Sequence, residues 1–110
     1  MTIAEAISAI DDMEQDNKEQ LAQHGIAVLH CEMVELSLPL PNGEKAVRYA
    51  QLNEEGIRIA YNELRKEYPD AEIGIYAEWR ECMGYISDEG DDAMSGDKVG
   101  DEFFAVLDGN

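Results

Sequence analysis

The stretch EIGIYAEW at residues 72–79 places Ile73, Ile75, Ala77 and Trp79 in one phase and Glu72, Gly74, Tyr76 and Glu78 in the other. Successive side chains leave a strand on opposite sides, so strict alternation marks a strand with one face buried and one exposed. The pattern predicts a half-buried strand over these residues that continues, or turns back, through Met83, Tyr85 and Ile86.

Upstream of it the period changes from two to that of a helix. Ile57, Ala60, Tyr61, Leu64 and Tyr68 fall on one side of a helix capped by Asn53 and closed by Pro69 and Asp70. Its other side mixes signs, as in Glu54 with Arg58, the pattern of a solvated face. Before that helix, Pro39, Pro41, Asn42 and Gly43 mark a hairpin turn between a strand at 26–38 and a returning strand at 44–51. Within the first of these, Ala27, Leu29, Cys31 and Met33 share a phase, which then moves to Val34, Leu36 and Leu38. A bulge, or burial on both sides, is the expected cause.

At the N-terminus Thr2 and Glu5 form a capping-box pattern that opens a helix with the stripe Ile3, Ala6, Ile7, Ile10 and Met13. Glu14 and Asn17 interrupt the stripe before Leu21 restores it, so the helix is expected to fray or break near residue 15 and to stop at Gly25. Downstream, residues 87–102 read as a mobile acidic loop, followed by a short strand from Phe103 to Leu107. The whole is one domain over residues 1–110: an α+β two-layer sandwich in the order α-β-β-α-β-(β)-β, with two helices on one face of a mostly antiparallel sheet.

A hydrophobic content of 45% over 110 residues argues for a folded body rather than a disordered acidic chain. No basic leader and no apolar run of about 18 residues is present, which predicts a soluble, cytoplasmic protein with no membrane partner. In that compartment Cys31 and Cys82 are expected to be reduced thiols. His30 adjoins Cys31, which in a strand places the two on opposite faces and argues against a nucleophilic pair. The histidines and cysteines lack metal-ligand spacing, and a calcium loop starting at Asp88 would put Ala93 where glycine is required and Val99 where glutamate is required. No enzyme activity, cofactor or metal is expected.

The charge carries the functional reading. Twenty-five acids against eight bases leave −17, unevenly spread: residues 1–25 hold six acids and one base, residues 71–110 eleven and two. At 100° per residue Glu5, Asp12, Asp16 and Glu19 lie within about 60° of one another, opposite the apolar stripe. The loop adds Asp88, Glu89, Asp91, Asp92, Asp97, Asp101 and Glu102 against Lys98 alone. Such a chain repels nucleic acid, whose binding needs Lys and Arg to neutralise phosphates. It suits a basic nucleic-acid-binding protein instead, with these eleven carboxylates as the contacts.

In size and charge the chain resembles, as a type, the DNA-mimic inhibitors that phages and mobile elements direct against restriction or CRISPR machinery. The resemblance implies a non-enzymatic inhibitor or sequestering protein, and it carries no site residue over. The alternative is an immunity or accessory protein that binds a specific effector through aromatic anchors, for which Trp79, Tyr76 and Tyr85 are the candidates.

Overall fold

The computed structural model describes residues 1–82 and 97–110, so the expected continuation through Met83, Tyr85 and Ile86 lies outside the described residues. The elements follow as α1 (Ile3–Ala22), β1 (Met33–Pro39), β2 (Lys45–Gln51), α2 (Glu54–Glu67), β3 (Ile73–Ala77) and β4 (Phe103–Leu107). The sheet runs β2-β1-β3-β4 with each neighbouring pair antiparallel. α2 joins β2 to β3 across β1 and packs on those three strands, while α1 packs on α2 and β4. This is the α+β two-layer sandwich that the sequence predicts.

Register explains which residues meet the helices, because residues directly opposed across antiparallel strands share a face. Leu36 lies opposite Ile75, Ile75 opposite Ala105, and Ile73 opposite Leu107. Leu36, Ile73, Ile75 and Leu107, with Ile3, Ile10, Ile57 and Leu64, belong to the core between the two layers, and Ala105 packs against it. Arg48, also on the helix side, extends to Glu63 and Glu67 of α2 at 3.4 and 3.3 Å. Asn53 caps α2 by accepting from the Gly56 amide at 2.7 Å. The Asn42-Gly43 signal is realised as a five-residue loop between the paired Pro39 and Lys45, with Gly43 at φ +87°.

The phase change at residues 26–38 has a specific cause. Val28 lies opposite Glu81, whereas Glu35 lies opposite Tyr76, so seven steps of chain face five. Two extra residues break the ladder between the passages, and only Met33–Pro39 is strand. In that break Cys31 is buried and its amide turns to α1.

α1 does not break at residue 15; it is continuous from Ile3 to Ala22. The two residues expected to interrupt it are buried pins. Glu14 Oε1 accepts from the Cys31 amide at 2.6 Å and from Trp79 Nε1 at 2.9 Å, and its Oε2 lies 2.7 Å from His30 Nδ1. Asn17 Nδ2 donates to the Asp101 carbonyl at 3.1 Å, while its Oδ1 accepts from the Asp101 amide at 3.0 Å. Both residues stand in phase with Ile3, Ala6 and Ile10, so they bind the helix to the chain beneath it.

The second pin holds Asp101 to α1, and backbone bonds hold the residues just before it. The Asp97 carbonyl accepts from the Glu81 amide at 2.9 Å and the Val99 amide donates to Trp79 at 3.0 Å. Gly100 follows at φ +74°, where an added Cβ would stand 2.5 Å from Asn17 Oδ1. Gly100→Ala therefore carries both the left-handed penalty and a clash with the pin, and should cost about 2 kcal/mol or more in urea unfolding.

Candidate functional site

The outer face of α1 is built from its first turn. Thr2 Oγ1 accepts from the Glu5 amide and Glu5 Oε1 from the Thr2 amide, at 3.0 and 2.9 Å, closing the capping box. The Thr2 hydrogen bonds hold the Glu5 carboxyl below its ordinary pKa. With Glu14 and Asn17 on the buried side, Glu5, Asp12, Asp16 and Glu19 are all exposed and point away from the sheet. Glu19 also accepts from Gln15 Nε2 at 3.1 Å. Lys18, the one base of α1, sits 3.5 Å from the Glu14 carboxylate. No positive charge therefore interleaves the row.

The loop acids divide. Asp88, Glu89, Asp91 and Asp92 lie outside the described residues. Asp101 is exposed and, through Asn17, borders α1 on its sheet-facing flank, so it adjoins the row without standing in line with it. Asp97 is exposed beyond the end of β3. Glu102 faces the other way: Lys98 Nζ lies 3.4 Å from it and 3.0 Å from Glu78, and Tyr76 donates to Glu78 at 3.0 Å. Burial alone would raise the Glu78 carboxyl; the bonds from Lys98, Tyr76 and Arg80 bring it below its ordinary value, and the same Glu78 bond raises Lys98. Glu102 thus belongs to an ion cluster on the side of the sheet away from the helices.

That side is the feature the sequence reading missed. No described element covers it, and it exposes Tyr49 (69%), Phe104 (63%), Met33 (51%) and Val106 (41%). The Phe104 ring lies over Gly74, where an added Cβ would meet it at 2.7 Å. An open groove of about 560 Å³ runs between Met33, Tyr49 and Tyr76. The signal was present in Phe103-Phe104, since adjacent aromatics in a strand must send one ring to each face. Trp79, by contrast, is buried beneath α1 and bonded to Glu14, so it is not a surface anchor. Tyr85 lies outside the described residues.

Both cysteines are free thiols, and burial pushes Cys31 up to about 11, which keeps it protonated at neutral pH. Among the described residues no cluster of three His, Cys, Asp or Glu side chains could hold a metal, and no helix is long and apolar enough to cross a membrane. Comparison with known proteins finds no matching family model, curated protein or solved structure.

Proposed function

We propose that this protein is a non-enzymatic inhibitor or sequestering protein that binds a basic, nucleic-acid-handling protein in the cytoplasm, presenting the outer face of α1 to the partner's phosphate-binding groove. Restriction and CRISPR machinery are partners of this chemistry. The observation that carries the reading is the one-sign row on a continuous helix whose only base is drawn off to the buried Glu14.

Glu5 and Glu19 are fourteen residues apart, so the row spans about 21 Å at ~1.5 Å rise per residue. Asp12, Asp16 and Glu19 follow at three- or four-residue spacing, which sets neighbouring carboxylates roughly 5–6 Å apart. A phosphate-binding groove accepts negative charge at closer intervals than this along duplex DNA, about one per 1.7 Å of axis, so the row meets part of the groove's positive charge. A merely soluble surface mixes signs, as α2 does, because a single-sign face costs stability through self-repulsion.

The test is affinity capture from host lysate, repeated with competitor duplex DNA and at raised salt. The captured basic protein should be displaced by the DNA, and its affinity should fall about tenfold or more between 50 and 200 mM salt. Capture indifferent to both DNA and salt overturns the proposal.

A further inference from the structure

The carboxylate that pins α1 also fixes the imidazole beside it. Glu14 Oε1 accepts from two donors, the Cys31 amide and the Trp79 indole, and Glu14 Oε2 lies 2.7 Å from His30 Nδ1. Those two donors and the Lys18 ammonium 3.5 Å from Oε2 favour the ionised carboxylate. An ionised carboxylate only accepts, so Nδ1 carries the proton and the neutral His30 ring keeps its lone pair on Nε2. The His30 side chain is 59% exposed against 11% for Glu14, so that lone pair faces solvent.

A carboxylate behind one ring nitrogen is how metal-ligating histidines are held, because it sets the tautomer and raises the basicity of the other nitrogen. A second donor stands next to it. Glu32 is exposed like His30, with the buried Cys31 between them, and the two line the same pair of shallow grooves. Glu78, on the rim of one of these, is engaged by Arg80 and Lys98 at 2.7 and 3.0 Å. Imidazole with carboxylate suits Zn²⁺ and its neighbours in the first transition row, whereas Mg²⁺ and Ca²⁺ take oxygen alone. We propose that His30 Nε2 and the Glu32 carboxylate bind a late first-row divalent cation such as Zn²⁺, with Glu14 as the positioning residue behind His30.

Among the described residues no third His, Cys, Asp or Glu joins the pair, so water completes the shell. A dissociation constant of roughly 10–100 µM is expected, far weaker than a four-ligand structural site. The geometry also makes Glu14→Gln diagnostic. The glutamine oxygen must stand where Oε1 did to serve the Cys31 and Trp79 donors, which turns its NH₂ toward His30 Nδ1. Nδ1 must then accept, the proton moves to Nε2, and the lone pair that meets the metal is lost.

Calorimetric titration of the full chain with Zn²⁺ at about pH 7.5, in about 5 mM Mg²⁺ to fill oxygen-only sites, reads the affinity. Long-range proton–nitrogen NMR of the imidazoles reads the tautomer. Wild type should carry the His30 proton on Nδ1 and bind Zn²⁺ with a shift at His30 Nε2. His30→Gln should weaken binding about tenfold or more, and Glu32→Gln about fivefold. Glu14→Gln should move the His30 proton to Nε2 and weaken Zn²⁺ about tenfold while the far-ultraviolet circular dichroism stays native. A wild-type His30 protonated on Nε2 overturns the proposal, as does zinc binding weaker than about 1 mM or affinity unchanged in His30→Gln or Glu14→Gln. If Glu14→Gln loses the native spectrum, Glu32→Gln decides in its place, since Glu32 is exposed, and unchanged affinity there overturns the site.

Discussion

Replacing Glu14 by Leu should lower stability by about 3–5 kcal/mol, the larger part of what a small domain has to lose. The substitution is close in volume and apolar, so it suits the helix phase, yet it leaves the Cys31 amide and the Trp79 indole N–H buried without their acceptor. Each unsatisfied donor costs about 1–3 kcal/mol, and loss of a charged acceptor lies at the upper end. The melting temperature should fall by roughly 15–30 °C. Glu14→Gln keeps an acceptor for both donors and loses only the charge, so about 1–2 kcal/mol is expected.

The same carboxylate sets the acid limit. Burial alone would raise the Glu14 pKa, but the bonds from the Cys31 amide, the His30 ring and the Trp79 indole more than offset it, leaving the carboxyl below its ordinary 4.5. A group whose folded pKa is depressed contributes stability above its unfolded value and loses it as pH falls through the folded one. Wild-type stability should therefore decline below about pH 4.5, and Glu14→Gln should flatten that limb.

The legible parts of the fold were those written in local period and turn chemistry. The alternation at 72–79, the Thr2–Glu5 box, the Asn53 cap and the Asn42-Gly43 loop each depend on residues close in sequence, and each forms. The parts that were not legible depend on contacts across the chain. Glu14 read as a break because its partners are 17 and 65 residues away. Its spacing held the clue: Ile10, Glu14, Asn17 and Leu21 keep helical period, and a polar side chain in core phase needs a partner. The exposed row on α1 followed from period and charge alone, whereas the division between Asp101 and Glu102 required the position of β4, which sends them to opposite sides.

The row itself supports the second large effect. Changing Asp12, Asp16 and Glu19 to Lys moves the formal charge from −17 to −11 and should turn the face proposed for the basic partner from attractive to repulsive. An ion pair at contact contributes about 1 kcal/mol even in water, and reversal both removes that and adds a similar repulsion. Three reversals are thus worth about 4–6 kcal/mol, or roughly a thousandfold or more in affinity. The fold should tolerate them: the three positions are exposed, Lys is a good helix former, and α1 has no base in its last turn to oppose its dipole.

The measurement that bears most directly on the acidic helix as the contact surface is the affinity of the captured basic protein for wild type and for this triple variant. Both should be compared at one salt concentration, with unfolding by urea run alongside. The expected result is binding lost by about a thousandfold with stability within about 1 kcal/mol of wild type. Equal affinity from an equally stable triple variant would contradict it.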